Sequence, residues 1–289
     1  MAKYNKVTTT IVEELKKIVG EQYVFTEADK LTECSHDEVN DPHYFYSPEV
    51  VVAPGTKEEI AAIVKLANRE LIPVVPRGAG TGMACAAVPI HGGIVLMTDR
   101  FDKIIKVDAD NMYIEVEPGV RTEVVQNAAK AQGMYYPGDP CSGDSCYIGG
   151  NVATNAGGNK AVKYGTTRDQ VYSLEIVTPK GEITTLGSRL NKCSTGYAME
   201  QLIIGSEGTL GIVTRMVLRL APLPKECMDL LMIFTDTTSA IACVSKILKA
   251  GVNPTCLEFM DNASLKCLET YLNEPVPHSA DGYYLIIQV

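Results

Sequence analysis

The sequence predicts an α+β protein built as two units, and three observations carry that expectation. Apolar runs of strand length alternate with helical periodicities from residue 46 to 222, the expected first domain. The stretch "APLPKE" (221–226) then sets two prolines after a strand, a linker composition, and a second strand–helix alternation fills 227–289. Three glycine clusters interrupt the first unit, around 78–82, 149–165 and 205–211. At 289 residues the chain is long enough for two cores of roughly 150 residues each. Residues 1–45 are expected to be a helical lead-in.

Residues 8–19 repeat apolar side chains at Ile11, Val12, Leu15, Ile18 and Val19, between threonines and Gly20, the pattern of a capped amphipathic helix. "PEVVVAPGTKEEIAAIVKLANRELIPVVPRG" predicts a strand at 50–53, a helix and a second strand. Thr56 and Glu59 have capping-box spacing, and Ile60, Ile63, Val64 and Ala67 share one face. The strand expected in 111–120 stops at Pro118-Gly119 and a helix follows over 122–131. Residues 172–186 predict a hairpin about Pro179-Lys180-Gly181, and 210–220 one more strand.

The second unit predicts a strand at 228–235, a helix at 238–250 ended by Gly251, an extended piece at 255–259, a helix at 263–272 and a strand at 283–289. That last run, "YYLIIQV", is apolar enough to need neighbours on both sides, so the second domain is expected to be incomplete or completed by another chain. Met216, Met228 and Met232 are assigned to packing, and Tyr135-Tyr136 to core.

Composition excludes several function classes. A net charge of −9 argues against a nucleic-acid footprint, which needs a basic face. Nothing resembles a secretory leader and no apolar run approaches the ~20 residues of a membrane span, so the expected location is cytoplasmic, with peripheral membrane association compatible. Nine cysteines without a Cys-x-x-Cys pair fit a reducing compartment, mostly as small buried hydrophobes. The four histidines form no metal-ligand pair, and no metal is expected.

"PVVPRGAGTGMACAAVPIHGG" (73–93) places a strand before a glycine loop. Gly78 and Gly80 match the first two glycines of the dinucleotide fingerprint, but Met83 takes the third place, and Pro89, Gly92 and Gly93 interrupt any following helix. A P-loop is excluded because no glycine-lysine-serine/threonine ending occurs. What remains is a helix-free nest: Gly78, Gly80 and Gly82 can take positive φ, and successive amides can converge on anionic oxygens, with Thr81 as a hydroxyl donor. Two more clusters, in 138–171 and 204–214, suggest one extended ligand touched along its length. Residues 138–160 read as a long loop with little secondary structure, a feature of functional segments.

The pieces "PEVVVAP", "PRGAGTG", "VEPGV", "YIGGNVATNAGG", "KYGTTRD" and "IGSEGTLGIVT", in this order over 46–222, resemble the FAD-linked oxidases and dehydrogenases of the vanillyl-alcohol-oxidase superfamily. The likeness is to its glycolate oxidase flavoprotein subunit and D-lactate dehydrogenase branch. The resemblance implies a two-lobed PCMH-type FAD-binding domain followed by an incomplete ferredoxin-like α+β cap. It implies that Arg77, Gly78, Ala79, Gly80, Thr81, Gly82 and Met83 embrace the FAD pyrophosphate. Gly149, Gly150, Asn151, Thr154, Gly157, Gly158, Tyr164 and Gly165 would line the ADP and flavin side, and Ile212 would offer backbone to a ring edge. Pro76, Pro137, Asp139, Ser142, Glu207, Gly208 and Gly211 complete the implied cofactor set.

The sequence departs from the family at two places. Ala84-Cys85-Ala86 replaces a glycine-rich turn, so ordinary φ values or a small shift are expected there, and Tyr147 stands where threonine is common. Arg77 is expected to pair with phosphate or a structural carboxylate, and Glu207 to order its own glycine turn through its carboxylate. His91 and Cys146 invite a covalent flavin link, but this branch binds FAD noncovalently.

The implied reaction is oxidation of a small D-2-hydroxy acid of lactate or glycolate type to the 2-keto acid, with electrons passed to an electron-transfer flavoprotein, an iron–sulfur subunit or a quinone. Rival readings are a non-catalytic FAD-binding electron-transfer subunit and a flavin-dependent non-redox enzyme like alkylglycerone-phosphate synthase. The family's substrate-handling arginine and histidines lie in a later part of the cap that this sequence does not contain. No catalytic residue is therefore assigned, and the chain is expected to hold FAD but turn over poorly.

Overall fold

A computed structural model describes residues 4–39 and 41–289. The chain forms two compact units. The larger takes residues up to Tyr136 together with Ser142–Ala156 and Thr167–Pro222; the smaller takes Pro137–Cys141, Gly157–Thr166 and Leu223–Val289.

The larger unit opens with α1 (Thr9–Val19), β1 (Val24–Phe25) and α2 (Ala28–Glu33). In α1, Ile11, Leu15 and Val19 recur every fourth residue and are buried; Thr8 caps the start and Gly20, at φ 93°, closes the end. The stretch before residue 46 thus joins the first lobe: β1 pairs antiparallel with β2 (Val50–Val52). Helix α3 (Lys57–Glu70) follows, then β3 (Val74–Arg77) and β4 (Ile94–Met97), giving the order β1-β2-β4-β3 with β2, β4 and β3 parallel. The capping box at α3 is displaced by one residue in its second half. Thr56 accepts from the Glu59 amide at 3.2 Å, but Glu59 reaches back to the Gly55 amide at 2.6 Å. Val50, Val52, Ile94 and Leu96 pack with Ile60 and Ile63 of α3 and with Leu15, all fully buried. Truncating one such residue costs about 2–5 kcal/mol.

The second lobe is antiparallel: β5 (Ile104–Asp108), β6 (Tyr113–Val116), α4 (Thr122–Lys130), β7 (Met134–Tyr135) and α5 (Ile148–Thr154) come first. Helix α6 (Ala161–Tyr164) falls in the smaller unit, and α7 (Thr167–Gln170), β8 (Val171–Val177), β9 (Ile183–Gly187), α8 (Glu200–Ile203), β10 (Ile212–Arg219) and β11 (Ala221–Pro222) complete the lobe. The sheet order is β5-β6-β10-β8-β9. The β8–β9 hairpin turns at Gly181, φ 76°, as the Pro-Lys-Gly signal predicts. Met216 and the fully buried Tyr136 lie in this lobe's core.

Two expectations for this lobe need correction. The long loop at 138–160 contains α5, because Ile148 and Val152, one helical turn apart, are both fully buried and anchor a helix through Gly149-Gly150. The linker starts at 223, because Ala221-Pro222 pairs with Tyr135-Met134.

The smaller unit holds β12 (Asp229–Phe234), α9 (Thr237–Lys249), β13 (Cys256–Met260), α10 (Asn262–Leu272) and β14 (Tyr283–Gln288). Asp236 and Asp261 cap the two helices, accepting from the Ser239 and Ser264 amides at 2.8 and 2.7 Å. The antiparallel sheet has the order β12-β14-β13, so β12 and β13 are parallel strands with one place between them, a split βαβ arrangement. The strand "YYLIIQV", expected to need neighbours on both sides, has them within this chain: β14 is central, flanked on both edges by β12 and β13. Met228 and Met232 are exposed rather than packed, because they lie in or beside β12, whose outer edge pairs with no strand among the described residues. The cysteines are likewise less buried than expected. Only Cys34, Cys146 and Cys256 are buried, while Cys141, Cys193, Cys227 and Cys267, in loops, beside a strand end or on a helix surface, are exposed. Among the described residues no helix is long and apolar enough to cross a membrane.

Candidate cofactor-binding site

Strand β3 delivers Pro76 and Arg77 to the start of the first glycine loop. No amide from residue 78 to 84 donates a hydrogen bond to a group of the described residues. Seven successive N–H groups are left for an outside acceptor, the arrangement that binds phosphate oxygens without a helix. Of the three glycines, only Gly80 takes a left-handed conformation, at φ 78°; a methyl group there would stand 2.2 Å from Arg77 Nη2.

The other glycine clusters of the larger unit wall this loop. A methyl group on Gly78 would lie 3.5 Å from Tyr147 Cβ and 3.9 Å from the Gly150 amide nitrogen. One on Gly208, whose φ is 77°, would stand 2.3 Å from Pro76 Cγ. The third loop is also tied to the end of α5, since Gly205 N–H donates to Val152 O at 3.0 Å and Glu207 N–H to Ala153 O at 2.8 Å. Three clusters distant in sequence therefore meet around Pro76 and Gly78. Gly149 lies so close to Pro118 that a methyl group would meet its Cβ at 2.4 Å, whereas nothing stands within 4 Å of a methyl group on Gly150.

The contributions differ from those expected along the sequence. The amides of Gly149, Gly150 and Asn151 already donate to Pro118 and Tyr147 carbonyls, so this segment offers shape rather than donors. The side chain of Asn151 donates to Thr122 Oγ1 at 2.7 Å, and the Thr154 hydroxyl donates to Gly150 O at 3.0 Å. Arg77 forms no ion pair with a carboxylate among the described residues. Its guanidinium donates to the carbonyls of His36 (2.8 Å) and Glu33 (3.3 Å) and fastens the segment after α2 beneath the loop. Glu207 sits at φ 53° and orders its turn through its amide rather than its carboxylate. Gly211 precedes β10 and Ile212 begins it, and both are buried. The Ser206 hydroxyl, between them and the α5 contacts, is buried with no partner among the described residues. Met83, Ala79 and Gly82 are exposed and Thr81 half-buried. Ser142 accepts from the Ser145 and Cys146 amides through its carbonyl.

Cys85 overturns the expectation of ordinary φ in the Ala84-Cys85-Ala86 turn. It sits at φ 56°, the conformation a glycine would have supplied. Asp37, 6% exposed, makes this tolerable: its Oδ2 accepts the Cys85 amide at 2.7 Å and its Oδ1 the Val39 amide at 3.0 Å. Asp37 was not singled out by sequence reasoning, because it lies 48 residues before Cys85 in no recognisable spacing. The same holds for Asp99, whose carboxyl interacts with the Tyr147 phenol. Burial pushes the Asp99 carboxyl above the usual carboxylate range against the pull of Lys30 and Tyr147, and burial together with Asp99 raises the Tyr147 phenol.

Six of the predicted residues belong to the smaller unit. Asp139 pairs with Lys160 at 3.4 Å, and its carbonyl stands where a side chain on Gly158 would project, at 1.9 Å. Gly165 ends α6 at φ 78°, after Tyr164. Gly157 faces open space, and Pro137 is buried. No group of three metal-ligating side chains forms among the described residues.

A run of unpartnered amides on a parallel lobe, walled by glycine turns from an antiparallel lobe, defines a protein that holds a diphosphate-bearing cofactor. Residues 48–187 match the family described as FAD binding domain, and 223–289 match the FAD linked oxidases, C-terminal domain. The chain belongs to the FAD-linked oxidases, and its cofactor is FAD. It is 39% identical over 284 residues to D-lactate dehydrogenase of Anaerostipes hadrus, covering 96% of this chain and 58% of that protein. It is 37% identical over 283 residues to glycolate oxidase subunit GlcD of Bacillus subtilis, covering 98% and 60%. The chain thus spans about three-fifths of the length of these relatives. Its fold superposes on alkyldihydroxyacetonephosphate synthase with a TM-score of 0.81 at 23% identity, over 100% of this chain and 57% of that one, a likeness of fold alone.

Proposed function

We propose that this chain is the FAD-holding part of an enzyme that oxidises a small D-2-hydroxy acid of lactate, glycolate or 2-hydroxyglutarate type to the 2-keto acid. FAD supplies the hydride-accepting ring. The observation that carries the reading is the run of unpartnered amides at 78–84, set against Pro76, Tyr147 and Gly208. These amides and the Thr81 hydroxyl neutralise the pyrophosphate. Gly150 leaves room beside them, and the orphaned Ser206 hydroxyl finds a partner on the cofactor. The substrate class is supported by relatives named D-lactate dehydrogenase, glycolate oxidase subunit and D-2-hydroxyglutarate dehydrogenase.

The cofactor-holding domain spans 46–222 and the substrate-side domain starts at 227. Electrons leave to a separate acceptor: an electron-transfer flavoprotein, an iron–sulfur subunit or a quinone.

The test is a visible spectrum of the purified protein, then anaerobic titration with D- and L-lactate, glycolate and 2-hydroxyglutarate. Flavin absorbance is expected in this chain, and bleaching by one D-hydroxy acid and not its L-enantiomer is expected in a chain extended to its relatives' length. A colourless protein that takes up no added FAD removes the cofactor assignment. A flavin that no hydroxy acid reduces, in a chain extended to its relatives' length, removes the substrate class.

A further inference from the structure

The polar face of the five-stranded sheet carries a recess of about 160 Å³ lined by Glu115, Ser173, Glu175, Thr185, Arg189 and Arg215. None of these residues belongs to the cofactor site. Glu115, 3% exposed, is gripped by Arg189, whose Nη2 lies 2.8 and 3.1 Å from the two carboxylate oxygens. Arg215 pairs with the same carboxylate. Glu175, the other acid at the recess, is already matched by Lys57 at 2.7 Å and by the Thr214 hydroxyl at 2.9 Å.

The charges therefore do not balance. One buried carboxylate faces two guanidinium groups, and a single arginine is enough to neutralise it. The second leaves a surplus positive charge beside the recess, where Arg189 and Arg215 are 53% and 37% exposed, open enough for an anion from solvent to reach it. The donors tell the same story. Arg215 Nε is buried and has no acceptor among the described residues. The hydroxyls of Ser173, 7% exposed, and Thr185 likewise make no hydrogen bond there. A surplus cation and two hydroxyls without a partner among the described residues line a space large enough for a few non-hydrogen atoms.

We infer that this recess binds a small monoanionic oxyanion, a carboxylate or a phosphate monoanion, against Arg215 with Ser173 and Thr185 as hydroxyl partners. The site stands apart from hydroxy-acid oxidation and does not depend on it.

The test is thermal unfolding of the FAD-loaded 289-residue chain near pH 6.5, at constant ionic strength balanced with chloride. Sodium acetate and sodium phosphate are titrated in separate arms, and flavin absorbance is recorded throughout, so that loss of the flavin is told apart from loss of this site. A saturable rise in the unfolding temperature is expected. Arg215→Gln is expected to shift half-saturation upward by about tenfold, the loss of one charge-assisted hydrogen bond. Ser173→Val, which fills the recess and leaves the Glu115 pairs intact, is expected to do the same and serves if Arg215→Gln does not fold. A response to acetate alone assigns the site to carboxylates, and one to phosphate alone assigns it to phosphate; both support it. No saturable response in the parent chain, or an unchanged one in Ser173→Val, overturns it.

Discussion

The Asp37 carboxylate holds the amide of Cys85 at 2.7 Å while Cys85 itself sits at φ 56°. A side chain from the segment after α2 thereby supports a residue held in a conformation that glycine adopts freely. It offsets the cost of a left-handed residue, about 1–2 kcal/mol, with a charge-assisted hydrogen bond.

Asp37→Ala is accordingly expected to cost about 2 kcal/mol, because it leaves the Cys85 and Val39 amides without their acceptor. Denaturant unfolding measures the loss, and the FAD dissociation constant of the same protein is expected to rise with it. Cys85→Gly in the parent is expected to be neutral or to stabilise by about 1 kcal/mol. A marked loss of stability in that variant refutes the strain argument.

Gly208→Ala and Gly150→Ala are expected to separate fold from cofactor. At 208 the added methyl meets Pro76 Cγ at 2.3 Å and the φ of 77° is unfavourable, so stability and FAD binding both fall. At 150 the methyl enters open space within α5, where alanine is favoured by up to about 1 kcal/mol. The fold is expected to hold while FAD affinity drops. Equal FAD affinity in Gly150→Ala and the parent contradicts the placement of the cofactor beside that residue.

Asp99 carries a folded-state pKa raised chiefly by burial. Below that raised pKa and above the ordinary carboxylate value, the folded chain binds more protons than the unfolded one, so stability falls as pH rises through the window. Asp99→Asn removes the slope. Unfolding curves from pH 7 down to about 4 are expected to show the variant's relative stability declining as the parent's Asp99 takes up its proton. A constant difference across that range excludes Asp99 as the titrating group.

The helix caps of the smaller unit run the other way. Asp261 is held below the ordinary range, first by the Ser264 amide, so its contribution is present at neutral pH and is lost on acidification. Asp261→Asn is expected to keep the cap and lose the acid sensitivity, followed by far-ultraviolet circular dichroism of heat-unfolded samples.

Much of the fold was legible because periodicity and caps are local. The α1 stripe at Ile11, Leu15 and Val19, the hairpin at Gly181 and the five elements of the smaller unit all follow from residues within a turn or two of each other. The glycine clusters were legible as clusters, but their division of labour was not. Whether an amide is left free, as at 78–84, or is taken by Pro118 and Tyr147, as at 149–151, depends on partners far along the chain. Asp37, Asp99 and the buried Ser206 hydroxyl were invisible for the same reason. An acid or a serine carries no spacing signal until the chain brings an amide, a phenol or nothing at all against it. The exposed Met228 and Met232 were misjudged because apolar periodicity does not reveal which strand of a sheet will be the outer one.

The central place of β14 also sets an order of events at the ribosome. Its two neighbours, β12 and β13, are made earlier and do not pair with each other. They must wait, with backbone groups and leucines uncovered, until residues 283–288 have emerged and can slot between them. The larger unit can meanwhile close most of its own sheets, so the nascent chain passes through a stage with one finished body and one open, chaperone-attracting ribbon.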